Sequence, residues 1–283
     1  MKDEFSKDSV LEIEALSHSL EIDTKGGRQI WHLWNEGGKE KVVLFHGGSG
    51  SWTHWVRNIK HLSMTREVWA LDIPGFGDSE LPAGALDVDD LAPFVYEGMQ
   101  KIGGANSLDV IGFSFGGLLA GYVAANDPGS IRKLILVGVP ALGLTGSPLP
   151  LRGLRPDMTP TEVNGVHHHN LKIMMLANEY MIEADTVELQ RKNIERDRLK
   201  RRRIARSGVL LELQKKWTCQ VFGVWGELDA LYKGHMHDIE ARLENCNLQN
   251  FKVIPSAGHW VQYEQADAFN DHVLKILNDC IEQ

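Results

Sequence analysis

From Lys41 onward the chain alternates between short apolar runs of strand length and longer stretches of helical periodicity, and this alternation narrows the choice of fold more than any other feature. Strand-like segments at 42–45, 68–71, 108–111 and 133–137 are separated by helical patterns at 53–62, 88–102 and Phe115–Asn126. In the 88–102 stretch Leu91, Phe94, Val95, Met99 and Ile102 recur on one face. Consecutive strands joined by helices pack through right-handed crossovers, so the expectation is an α/β fold: a mostly parallel sheet with helices on both faces.

The rhythm is different at two places. Residues 11–16, 19–23 and 30–34 read as antiparallel strands around the Lys25-Gly26-Gly27 turn, forming an antiparallel edge. Between Ala141 and Lys216 a Gly/Pro-rich opening (Gly143, Gly146, Pro148, Pro150, Pro156, Pro160) leads into long helical stretches without a strand signal. The alternation then resumes with a strand at 220–225, a helix near 237–243, a strand at 250–254 and a closing helix at 266–281 carrying Phe269, Val273, Ile276 and Leu277. We therefore expect a core domain from 1–140 and 217–283, with 141–216 inserted as a helical lid. At 283 residues and 43% hydrophobic composition, core size is not limiting.

Charge and composition exclude several classes. A formal net charge of -8, with no basic stripe among aromatics, argues against nucleic acid as a partner. Apolar runs such as Leu134-Ile135-Leu136-Val137 fall far short of the ~20 residues that span a bilayer. The mixed charges of Met1 to Asp8 do not resemble a secretory signal, so a cytoplasmic location is expected. Cys219, Cys246 and Cys280 are widely spaced and form no disulfide framework or thiolate metal site. Homo-oligomer formation is left open.

The chemistry is carried by Leu108-Asp109-Val110-Ile111-Gly112-Phe113-Ser114-Phe115-Gly116-Gly117: a strand, a G-x-S-x-G turn and a helix start. In that context the serine sits on a tight elbow that lifts its hydroxyl above the sheet edge. Ser114 is the candidate nucleophile. A serine hydroxyl needs a base to remove its proton and a third group to orient that base. Of twelve histidines, only His259 follows a late strand directly, within Ile254-Pro255-Ser256-Ala257-Gly258-His259-Trp260. The acid is expected after the preceding strand, in Gly226-Glu227-Leu228-Asp229, with Asp229 the first choice and Glu227 its rival. No Asp or Glu lies between Leu134 and Pro156 to compete.

A tetrahedral intermediate needs preorganised N–H donors for its oxyanion. Phe115, after the nucleophile, is one candidate, and the loop His46-Gly47-Gly48-Ser49-Gly50-Ser51 supplies the second, with Gly48 ahead of Ser49. His46 reads as a hydrogen-bonded loop residue, and the loop lacks both the Gly-Lys-Ser/Thr of a P-loop and the last glycine of G-x-G-x-x-G.

Together with Asp72-Ile73-Pro74-Gly75-Phe76-Gly77-Asp78-Ser79, these segments resemble the α/β-hydrolase superfamily from about Ile30 to Ile281. By that resemblance Asp72 and Gly75 are structural, and an aspartate-nucleophile mechanism is disfavoured by Ser114. The stretch from Gly258 to Asn270 is similar to that of the meta-cleavage product hydrolases, serine enzymes that split a carbon–carbon bond in 2-hydroxy-6-oxo-dienoates. The resemblance implies substrate contacts for Trp260, after the histidine, and for a lid arginine whose candidate counterpart is Arg191. Phe113 departs from the asparagine common in that group and moves the reading toward a carboxylesterase. Gly47, Ser49, Phe113 and His167 complete the expected substrate-binding set.

His167, His168 and His169 are adjacent and point about 100° apart on a helix, so they do not form a metal site. The basic run between Arg191 and Arg206 reads as a solvated helix face, with steering of an anionic substrate as the sharper alternative. The expected enzyme is a cofactor-independent serine hydrolase of a small-molecule carboxylic ester. Carbon–carbon hydrolysis of a ring-fission dienoate is the alternative, and a non-catalytic ligand receptor a third.

Overall fold

A computed structural model describes residues 9–104, 107–144 and 148–279. Eight strands, β1 (His18–Thr24), β2 (Gly27–Trp34), β3 (Lys41–Phe45), β4 (Glu67–Asp72), β5 (Leu108–Phe113), β6 (Ile131–Val137), β7 (Gln220–Gly226) and β8 (Leu248–Ile254), form one sheet. Their spatial order is β1-β2-β4-β3-β5-β6-β7-β8, with β1 and β2 antiparallel to their neighbours and all other pairings parallel. The helices are α1 (Val10–Ala15), α2 (Ile59–Ser63), α3 (Val88–Gly103), α4 (Phe115–Asn126), α5 (Pro160–Asn170), α6 (Ala184–Glu195), α7 (Leu210–Leu213), α8 (Ile239–Arg242), α9 (Val261–Glu264) and α10 (Ala266–Leu277).

Alternating residues of each central strand feed two separate cores. Val43, Phe45, Val110, Leu134 and Leu136 face α3 and α4, packing on Leu91, Val95, Leu118 and Leu119. Val42, Leu44, Ile111, Ile135 and Val137 face the other way, onto Trp55, Ile59, Phe269 and Val273. Strands buried on both faces explain the continuous apolar runs in the sequence. Fully burying each such side chain contributes roughly 2 kcal/mol.

The core also holds a cation. Lys133, in β6, is buried, and its Nζ donates to the carbonyls of Ile276 at 2.8 Å and Leu277 at 3.1 Å, while Arg66 Nη2 donates to Leu277 at 2.6 Å. These charges satisfy the unpaired carbonyls at the C-terminal end of α10.

Four sequence expectations are corrected. Residues 11–16 are not a strand: α1 occupies them, started by a capping box in which Ser9 and Glu12 exchange backbone bonds. Ser-x-x-Glu before an apolar run is the signal that the Leu11/Ile13/Ala15 alternation obscured. The helix expected at 53–62 is a 3-10 turn (Trp52–Trp55) followed by α2, and the one near 237–243 is likewise a short turn plus α8. Between β6 and β7 the helices are brief, α5 and α6 being the longest at 11 and 12 residues. Finally, α6 ends at Glu195, so Arg198 to Arg203 are not a helix face; Arg198 lies over the loop after β4 and donates to the carbonyls of Phe76, Gly77 and Ser79. The closing helix, expected to reach 281, ends at Leu277, and Gly146 and Cys280 lie outside the described residues.

Candidate active site

Parallel strands place their carboxyl ends along one edge of the sheet, where ligands of open α/β folds bind. The loop after β3 carries His46 to Ser51, the elbow after β5 carries Ser114, and the loops after β7 and β8 carry Asp229 and His259. All four meet at that edge.

Ser114 is held at φ 50°, a conformation costly for a side-chain-bearing residue. The elbow is closed by Ser114 N–H donating to Val137 O at 2.8 Å, and by Gly117 and Leu118 N–H donating to Ser114 O. The flanking glycines are required by approach distance. A Cβ on Gly112 would lie 2.5 Å from Gly117 Cα, and one on Gly116 would lie 2.4 Å from the carbonyl oxygens of Phe45 and His46. Phe115 opens α4, so its N–H is one of the orphan donors of a helix N-terminus.

His259 Nε2 is 2.9 Å from Ser114 Oγ, and His259 Nδ1 is 2.8 Å from Asp229 Oδ2. An ionised carboxylate only accepts, so Nδ1 carries the proton and Nε2 offers a lone pair to the serine hydroxyl. Asp229 is oriented in turn by accepting the Leu231 N–H at Oδ1, 2.9 Å away. Glu227 points elsewhere, taking the Ser256 N–H at 3.0 Å.

The glycine loop is built by two buried histidines. His46 Nδ1 lies 2.7 Å from Gly47 O, and the Ile73 N–H donates to its Nε2 at 2.9 Å. The carbonyl can only accept, so this ring is the Nδ1–H tautomer. Burial pushes its pKa down to about 4, against the opposing pull of Asp72. Gly47 N–H donates to His54 Nδ1 at 3.2 Å. Both backbone groups of Gly47 are therefore engaged within the protein, and a Cβ on Gly48 would lie 3.7 Å from Phe115 Cβ. Ser49 adopts φ 52° and gives its hydroxyl to Asp197 Oδ2 at 2.6 Å. The Arg202 guanidinium pairs with Asp197, lies 5.1 Å over the Phe76 ring and 6.0 Å over that of Phe115, and flanks Gly48.

The remaining expected residues are placed differently from one another. Phe113 is fully buried and packs on His259, with ring centroids 5.0 Å apart. Trp260 is also fully buried, stacked 4.1 Å from Tyr263 with its indole N–H on His54 O. Neither ring is presented as an open substrate contact. Arg191 is held bidentately by Glu188 at 2.6 and 2.8 Å and by Glu195 at 2.5 Å, so its charge is already paired. His167 is buried, its Nδ1 lacks a partner, and burial lowers its pKa. No group of metal-ligating side chains occurs among the described residues, and no helix among them is long and apolar enough to cross a membrane.

Sequence reasoning missed His54 and Glu264. The buried Glu264 carboxylate accepts the N–H groups of Gly258, Ala177 and Asn178, joining the histidine loop to the segment after α5. No spacing rule marks a carboxylate that binds only backbone. His54 stood in an apparently amphipathic helix, and the Trp52-Thr53-His54-Trp55 cluster was the available hint.

Comparison with known proteins bears on the fold and the family. A hydrolase of Paraburkholderia phymatum named for 2-hydroxy-6-oxononadienedioate and 2-hydroxy-6-oxononatrienedioate is 26% identical, over 95% of this chain and 99% of its own length. The Bacillus subtilis carboxylesterase CesB superposes with a TM-score of 0.74 at 18% identity, covering 96% of this chain and 95% of that one. A meta-cleavage product hydrolase of Pseudomonas fluorescens IP01 gives 0.74 at 21% identity, covering 93% and 98%. Residues 42–272 match the alpha/beta hydrolase family, and with its sheet order, elbow and loop positions the chain belongs to that family.

Proposed function

We propose that this α/β-hydrolase cleaves a carboxylic ester of small or medium acyl part through an acyl-enzyme on Ser114. The supporting observation is the unbroken relay from Ser114 Oγ to His259 Nε2 at 2.9 Å and from His259 Nδ1 to Asp229 at 2.8 Å. Ser114 Oγ attacks the acyl carbon while His259 takes its proton, and Asp229 stabilises the resulting imidazolium. The oxyanion is received by the N–H groups of Phe115 and Gly48. His259 returns the proton to the departing alkoxide, then activates water to release the acid. Residues 141–216 act as a lid over this edge, excluding water and shaping the pocket. The chain's own residues supply every step, with no cofactor.

Carbon–carbon cleavage of a ring-fission dienoate is the second reading, favoured by the activity for which the Paraburkholderia relative is named. Ester hydrolysis is preferred because Arg191 is already paired with two glutamates and Phe113 offers no hydrogen bond to a dienol or carboxylate. The test is a panel of neutral esters beside one ring-fission dienoate, with a fluorophosphonate probe for the nucleophile. Faster turnover of esters and labelling lost in Ser114→Ala are expected. Faster dienoate turnover transfers the assignment to the second reading, and absence of labelling and turnover leaves the receptor reading.

A further inference from the structure

Gly47 is gripped from both sides. His46 Nδ1–H donates to its carbonyl, and its N–H donates to His54 Nδ1. The Gly47 carbonyl and the Gly48 N–H belong to one planar trans peptide and point in opposite directions, so fixing the carbonyl aims the N–H. Fixing the Gly47 N–H holds the neighbouring peptide plane as well. The torsions of Gly47, a residue otherwise free to rotate, are thereby set by two imidazoles of opposite tautomer.

His54 also reaches the other half of the site. Its carbonyl accepts the Trp260 indole N–H at 2.9 Å, and Trp260 directly follows His259. Its ring lies 4.9 Å from that of Trp260 and 5.6 Å from that of Phe113, which packs on His259. The loop folds closely over it, since a Cβ on Gly50 would fall 2.3 Å from His54 Cε1.

We propose that His54 is a positioning residue for acyl transfer: its ring sets the aim of the Gly48 N–H at the oxyanion and its backbone ties that donor to the His259 loop. The inference rests on the reading of Ser114 as nucleophile and Gly48 as oxyanion donor. One feature separates this role from packing. Because Nδ1 accepts, Nε2 carries a proton, and that buried atom has no hydrogen-bond partner. An unmet buried donor is destabilising, and a phenylalanine would fill a similar volume without one. The imidazole is therefore explained by its acceptor rather than by its bulk.

The experiment compares His54→Phe, His54→Asn and Ser114→Ala in the full chain, using a short neutral ester and a trifluoromethyl ketone that forms a tetrahedral adduct. His54→Phe is expected to melt within a few degrees of the parent and lose about 10- to 100-fold in kcat, the scale for one impaired oxyanion donor. Its KM should change less than about threefold, and ketone affinity should fall in step with kcat/KM. His54→Asn, whose Oδ1 can replace the imidazole acceptor, should recover most of the loss. Wild-type kcat in His54→Phe, or a loss that leaves ketone affinity unchanged, overturns the proposal. Should His54→Phe not fold, His54→Gln displaces the acceptor by one bond and is expected at least about tenfold below His54→Asn, whereas equality overturns the proposal. An inactive Ser114→Ala beside a normal His54→Phe rejects only the role of His54, whereas an active Ser114→Ala rejects the underlying reading and this inference together.

Discussion

The hydroxyl of Ser49 donates to the carboxylate of Asp197 at 2.6 Å, joining the loop after β3 to the segment after α6 across 148 residues of sequence. Next to it the buried Asn193 exchanges hydrogen bonds with Ser51 and Thr53 at 2.8 to 3.2 Å. The segment between β6 and β7 therefore touches the residue beside Gly48. Asp197→Ala frees both Ser49 and Arg202. The Asp197 side chain is only 13% exposed and also takes the Leu199 N–H, so the melting temperature should fall by a few degrees, while kcat should fall about tenfold, or about 1.4 kcal/mol, and the ranking of esters by acyl length should change. Unaltered kcat and ranking would separate the latch from catalysis.

Alanine at Ser114 or His259 should each cost several orders of magnitude in kcat, and the double variant should lose little more, because the pair acts as a unit. Asp229→Asn should also be severe, since it removes the acceptor that sets the His259 tautomer. Glu227→Gln, whose partner is the Ser256 N–H, should be mild. Single-turnover kinetics on an activated ester measure this ranking, and its reversal would move the acid to Glu227.

Arg191→Gln should change turnover of a short neutral ester by less than about tenfold, under 1.4 kcal/mol, because the guanidinium is occupied by Glu188 and Glu195. Trp260→Ala should hurt more, since it removes the indole bond to His54 and the stack on Tyr263 next to His259. Collapse of neutral-ester activity in Arg191→Gln, with circular dichroism unchanged, would contradict this account.

Acid should destabilise the fold through the buried histidines. The His46 pKa is depressed from 6.5 to about 4, so between those values the unfolded chain binds the proton and the folded chain does not. Stability from this group is complete above about pH 6.5 and is lost as pH falls toward 4, by about 3 kcal/mol at most. His54 is shifted in the same direction by burial. Urea unfolding at pH 7, 5.5 and 4.5 should show this slope, reduced in His46→Gln. An equal slope in that variant assigns the acid sensitivity to other groups.

Local patterns in the sequence determined much of the architecture. The β3 to β7 runs were legible as short continuous apolar stretches, α3 and α10 because their apolar residues repeat at helical spacing, and α4 from its place directly after the G-x-S-x-G turn. The elbow was legible because approach distances at Gly112 and Gly116 exclude any side chain, and His259 and Asp229 followed from chain order. Tertiary structure decided what depends on partners distant in sequence. The box of Ser9 and Glu12 overrode the alternation of residues 11–16. Arg191 and Arg202 are equivalent as basic residues in a string of letters, but one is neutralised by its own helix and the other rests beside Gly48. His54 acquired its place only when folding brought Gly47 onto its ring nitrogen and Trp260 onto its backbone carbonyl. Hydrogen bonds of that kind leave no periodic trace, since their geometry is set by where whole elements pack.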